Sequence, residues 1–271
     1  MIKHPERRER WILIGVFLAV VLPAMIGFGL TGAPILVVFA MPSVVALALT
    51  AVSPHRRAIA AGLGIRRTSP GSVGVAVAAA IVPIAVGVLV LVACRLDHLP
   101  PVTQWLLPIG AWHVLSGIRQ GVFEEIGWRG FLQPQLSALL DVRKAVVFTG
   151  LAWAVFHYGL IIGDGPPNGL SLWLYLPIFT ATLVAVSVYA GYLRQLTGSV
   201  GPAVALHAAN NIAGGYADQL LISVTHPAMA ELLGDTVGLA CWLVPALWAW
   251  PRLRRIDSSN PGKTVERTGN S

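Results

Sequence analysis

The sequence predicts an all-α, polytopic transmembrane helical bundle of about eight spans with both termini cytoplasmic. Three observations lead there. The 271 residues are 55% hydrophobic and only 11% charged, with a mean hydropathy of +0.71, whereas a soluble domain carries about 25% charged residues. The apolar residues form long, nearly charge-free runs of the roughly 20 residues that a helix needs to cross a bilayer core. Those runs are too continuous for the alternation of a membrane β-barrel, and helices are the other structure that satisfies its own backbone in lipid.

The spans run, in order, Trp11–Leu30, Pro34–Val52, Val73–Cys94, a long fourth segment Thr103–Leu140, Ala145–Ile162, Leu172–Leu193, Val200–Ile222 and Val237–Trp250. The first begins after a basic N-terminus and is longer than the apolar region of a signal peptide, so it reads as an uncleaved span. The fourth segment is too long for one crossing: at 1.5 Å per residue it would reach roughly 57 Å. It contains Pro108, Gly110, Gly117, Gly121 and Pro134, so it is expected to break in two or to project into the cytoplasm. The tail Asp257–Ser271 is polar and without apolar periodicity, as in disordered termini. The chain therefore divides into motif-free spans (1–102), a central core (103–222), a last span (223–256) and the tail (257–271).

Net charge is +7, but the cations cluster beside apolar runs: Lys3, Arg7, Arg8 and Arg10; Arg56, Arg57, Arg66 and Arg67; Arg252, Arg254 and Arg255. With the N-terminus inside, the even-numbered spans end beside Pro54–Arg67, Asp141–Lys144, Arg194 and Pro251–Arg255. The outer loops, Thr31–Ala33, Arg95–Pro101, Gly163–Gly169 and Ser223–Asp235, carry one Arg and no Lys. This is the positive-inside pattern, which accounts for the basicity without a nucleic-acid partner. The expected partners are the bilayer and a membrane-associated or peptide substrate; the expected location is the plasma membrane. Cys94 and Cys241 lack metal-type spacing partners and read as buried thiols. Oligomeric state has no signal in the sequence.

Ionisable residues at membrane depth are costly and mark functional sites. Glu124 and Glu125 are adjacent in an apolar helix. Glu125 and Arg129 are four apart, share a face and can pair. Glu124 is rotated about 100° from Glu125, and an unpaired carboxylate in a dry site can act as general base near neutral pH. A second helix carries Trp153 and His157 four apart; a third carries His207 and Asn211 four apart. Singly, Glu125 and Arg129 read as a structural ion pair and His157 as a satisfied core histidine, His207 and Asn211 can serve as polar glue between helices, and Glu124 reads as a group for chemistry. Together they supply carboxylate, imidazole and carboxamide, the groups that activate water and hold an oxyanion, or that bind a metal with a position open for water. Counted from the cytoplasmic ends, His207 and His157 lie roughly 10 and 18 Å deep, which implies a cavity open to the cytoplasm. His113, Arg119 and Asp218 receive no role.

The ordered set Glu124-Glu125-x-x-x-Arg129, Trp153-x-x-x-His157 and His207-x-x-x-Asn211 resembles the CAAX protease and bacteriocin-processing family of intramembrane peptidases, over about Trp105–Ile222. The stretch Gly198-Ser199-Val200-Gly201-Pro202 before the last motif fits as well. The resemblance implies an intramembrane endopeptidase, a hydrolase, in which Glu124 acts on water with help from His157. His207 and Asn211 then hold the oxyanion or a metal, and Arg129 fixes Glu125. One departure is Trp153, where the family usually has Phe; it reads as a packing change. The resemblance leaves open a divalent metal such as zinc, with Glu124, His157 and His207 as its ligands, or no cofactor. The chain lacks His-Glu-x-x-His, so the soluble zincin mechanism is not implied. Two other readings stay open: a proton-coupled transporter using Glu and His as a relay, disfavoured by the lack of an internal repeat, and a non-catalytic membrane immunity or regulatory protein.

Overall fold

The computed structural model describes residues 4–31, 35–96, 99, 110–221 and 226–258, and these form helices joined by short connections, with no strand among them. The helices are α1 (Arg7–Thr31), α2 (Ile35–Val52), the short α3 (Arg56–Gly62), α4 (Pro70–Ala93), α5 (Ala111–Glu125), α6 (Gln133–Leu139), α7 (Val142–Asp164), α8 (Leu172–Thr197), α9 (Gly201–Leu220) and α10 (Pro227–Ser258). A π-helical turn, Ile126–Leu132, joins α5 to α6. A 3₁₀ turn, Pro167–Gly169, precedes α8.

Among the described residues five helices are long and apolar enough to cross a membrane: Arg7–Gly27, Pro70–Ala93, Val142–Asp164, Leu172–Thr197 and Pro227–Asp257. The remaining expected spans fall short for physical reasons. The apolar part of α2, Val37–Val52, is shorter. α5 carries His113, Arg119, Gln120, Glu124 and Glu125, and α9 carries His207, Asn210, Asn211 and Asp218, so both are too polar to stand out as lipid-facing segments. Large apolar side chains elsewhere point outward, as a lipid-facing surface requires: Ile12, Val20, Leu89, Trp173, Val244 and Leu247 are all exposed.

Three expectations need correction. α10 begins at Pro227, well before Val237, so most of the expected outer loop Ser223–Asp235 is helix. Over its described residues the long fourth segment does not separate into two pieces: helix, π turn and helix follow one another from Ala111 to Leu139, about 40 Å of path. Pro134 does not end the helix, because it sits in the first turn of α6, where a missing N–H costs little. Cys94 is exposed rather than buried, and Cys241 is half-buried. Pro108 and the tail beyond Ser258 lie outside the described residues.

Helix ends follow local chemistry. Ser69 caps α4, accepting from the Ser72 N–H at 3.2 Å, with Pro70 in the first turn. Asp141 caps α7 through the Lys144 N–H at 3.1 Å. α8 closes on Gly198, whose φ of 63° gives the left-handed cap that glycine tolerates, with its N–H bonded to the Arg194 carbonyl at 2.9 Å.

Two packing arrangements position the site. Phe17 of α1 is fully buried against Trp128, edge to face at 5.6 Å, and against Phe131 at 5.3 Å, which locks the π turn to α1. α5 lies directly on α9, and α4 lies on α9's other side. The α5–α9 approach is made through glycine: a Cβ on Gly121 would stand 2.9 Å from the Val204 carbonyl oxygen and 3.1 Å from the Ala208 nitrogen. Small residues are the usual means of bringing membrane helices this close.

Gly121→Val is accordingly expected to push α5 off α9 and lower stability by about 1–3 kcal/mol, whereas Gly214→Ala on α9, where a Cβ meets no atom within 4 Å, should leave it unchanged or slightly raised. Thermal unfolding of the two variants in detergent measures the contrast.

Candidate active site

The three motifs, far apart in sequence, meet in one buried cluster. Glu124 and Glu125 are each 1% exposed and Arg129 is fully buried. The last turn of α5 presents the two carboxylates on neighbouring faces, and the π turn that follows brings Arg129 back beneath Glu125. Glu125 Oε1 accepts from Arg129 Nη1 at 2.7 Å and lies 2.9 Å from His207 Nδ1 on α9. A carboxylate only accepts, so Nδ1 of His207 carries the proton. His207 Nε2 then faces Glu124 Oε1 at 3.9 Å. The second oxygen, Glu124 Oε2, accepts from the indole N–H of Trp153 at 2.7 Å and from that of Trp128 at 3.3 Å. The Arg129 guanidinium stacks on the Trp153 ring, 4.4 Å from its centroid.

Glu124 is thus not the unpaired carboxylate that the sequence suggests. Two indoles hold one of its oxygens and a histidine faces the other. Glu125 is also more than a partner of Arg129, because it fixes the ring of His207. This is the carboxylate–imidazole arrangement that sets a histidine's tautomer and direction. Glu125 Oε2 and Arg129 Nε and Nη2 are buried with no hydrogen-bond partner among the described residues.

His157 and Asn211 stand at the margin. His157 Nδ1 donates to the Trp153 carbonyl one turn earlier at 2.9 Å, and Nε2 has no hydrogen-bond partner among the described residues. Its half-buried ring is surrounded by Phe39, Trp153, Phe156 and Phe179, and it reaches the cluster through Trp153, not through a direct bond to Glu124. Asn211 Nδ2 donates to Gln120 Oε1 at 2.9 Å, which ties α9 to α5 one turn above His207. Gln120 and Trp128 escaped the sequence reading, although both lie four residues from Glu124 and so on its face. Among the described residues no three His, Cys, Asp or Glu side chains gather as a metal ion would need. Glu124 and His207 approach each other without His157, so the donors do not fit the three-ligand site that the resemblance leaves open.

The cluster lies near the basic end of the bundle. Arg194 donates from Nε to the Arg129 carbonyl at 3.2 Å and from Nη2 to the Gly62 carbonyl at 2.6 Å, and Arg66 reaches the Thr197 carbonyl at 2.8 Å.

Among the described residues the protein is thus a helical bundle with five helices long and apolar enough to cross a membrane, and it holds a buried Glu–His–Arg cluster between its helices. Residues 104–213 match the protein family described as Rce1-like, the type II CAAX prenyl endopeptidases. This is the family that the three motifs resemble, and the matched stretch contains all of them. The match supports a CAAX-type protease, hence a hydrolase, in an integral multi-pass membrane protein. Comparison with curated proteins gives no match.

Removing one partner of a buried ion pair leaves a bare charge and costs about 3–5 kcal/mol. Arg129→Ala should therefore unfold far more readily in detergent than wild type, while Arg119→Ala at the rim of α5 should lose much less; equal thermal midpoints would contradict the pairing.

Proposed function

We propose that the protein is an intramembrane endopeptidase that hydrolyses a peptide bond with water activated by Glu124, in a cavity open to the cytoplasm. The observation that carries this reading is the meeting of Glu124 and His207, which come from motifs on separate helices within the Rce1-like segment.

Glu124 Oε1 takes a proton from water as the water oxygen bonds to the carbonyl carbon. The carbonyl π electrons move to oxygen, and the resulting oxyanion is held by His207 Nε2–H and the Asn211 carboxamide. Holding an anion requires His207 as the imidazolium, and charge supports that form: Glu124 and Glu125 against Arg129 leave one negative charge that an imidazolium cancels. As the oxyanion collapses, the carbon–nitrogen bond breaks and Glu124 returns the proton to the leaving amine. His157, through its free Nε2, orients the water together with Glu124. Asn211 reaches the oxyanion by exchanging its bond to Gln120 for one to substrate.

Two features support a cytoplasmic opening: the cations cluster at the loops assigned to the inside, and Arg194 joins the site's Arg129 carbonyl to the basic Arg56–Arg67 segment through Gly62. The substrate is a membrane-associated peptide.

Purified wild type in liposomes should cleave members of a library of membrane-anchored peptides, read by mass spectrometry. Glu124→Ala and His207→Ala should each lower the rate by at least about a hundredfold while staying folded. A chelator should leave cleavage intact; loss of cleavage on chelation, restored by zinc, would instead give Glu124 and His207 to a metal. Full activity in either variant would remove that residue from the mechanism. Solute or proton flux without cleavage would favour a transporter.

A further inference from the structure

Trp153 occupies a position where the resembling family usually carries Phe, and an exchange of one aromatic for another suggests a packing change. The geometry assigns more to it. Its indole N–H makes the shorter of the two hydrogen bonds to Glu124 Oε2, at 2.7 Å against 3.3 Å from Trp128. The face of the same ring carries the Arg129 guanidinium, and the ring lies 5.2 Å from that of His207. Its backbone carbonyl accepts from His157 Nδ1 at 2.9 Å. One residue, 5% exposed, thus touches the two groups assigned to water activation, Glu124 and His157, and the Arg129 cation.

We propose that Trp153 is a positioning residue of this site: its indole N–H pins Oε2 of Glu124 so that Oε1 is presented to His207 and to the water it activates. The proposal rests on the reading of Glu124 as general base. The physical reason is rotational freedom. A glutamate carboxylate turns readily about its last torsion, which has a broad, two-fold profile. With one oxygen held by a charge-assisted bond, the other has one direction. Trp128 shares the role weakly, because its bond is long. Phe at position 153 preserves the ring over Arg129 and the contact with His207 but offers no donor.

The test compares Trp153→Phe, Trp128→Phe and wild type in liposomes, with kcat and KM measured separately. Loss of aim at the base should lower kcat of Trp153→Phe by about tenfold with KM within about twofold, since misplacement of a catalytic group is felt in the chemical step. Trp128→Phe should lose about threefold or less. In parallel, the full-length protein labelled at its indole nitrogens is examined in detergent by NMR, with the Trp153 signal identified by its loss in Trp153→Phe. That signal should move when Glu124 is replaced by Ala. An unmoved signal overturns the proposal, and so does a kcat of Trp153→Phe equal to wild type. If wild type cleaves no peptide, the peptidase reading fails, while the signal still decides whether Trp153 holds Glu124.

Discussion

Two carboxylates buried side by side between helices constrain everything around them. Glu124 and Glu125 have left water almost completely, and a carboxylate in a dry interior is tolerated only when its charge and lone pairs are met. The surrounding structure meets them: Arg129 one turn on, His207 from the facing helix, and the indoles of Trp128 and Trp153. Each of these partners is itself fixed by something further out. Phe17 clamps Trp128, Arg194 bonds the carbonyl of Arg129, and Gly121 lets α9 approach closely enough for His207 to reach.

The π turn belongs to the same logic. Inserting one extra residue per turn after Glu125 widens the helix, and such turns recur where side chains must be re-aimed at a site. Here the turn keeps Trp128 and Arg129 both inside the bundle, one against each carboxylate. Gly127 and Gly130 permit the close approach of α2 and of the Leu63 carbonyl, the latter 3.1 Å from a Cβ placed on Gly130. Ser43 of α2 also donates to the Phe123 carbonyl near the start of the turn.

Much of this was legible in the sequence. Charge-free runs of bilayer length located α1, α4, α7 and α8 to within about a turn, because apolar composition and spanning length are the same constraint seen twice. The i, i+4 spacings correctly paired Glu125 with Arg129 and placed His207 and Asn211 on one shared face, which in the structure is the face toward α5. What escaped depends on which neighbours a helix meets, a matter of three dimensions. Nothing in the one-dimensional pattern shows that Trp153 on α7 reaches Glu124, that His207 prefers Glu125, or that Asn211 is taken by Gln120. The early start of α10 escaped because Glu231 and Asp235 resemble loop residues, yet they lie on a helix that packs on the 3₁₀ turn, where Asn168 donates to Glu231 at 2.8 Å.

The central claim is that Glu124 and His207 act as one catalytic unit. A double-mutant cycle on peptide cleavage addresses it most directly, comparing Glu124→Ala, His207→Ala and the pair. Residues serving a single step lose their effect together, so the double variant is predicted to be no slower than the worse single one. Losses that multiply would show two independent contributions and contradict the account.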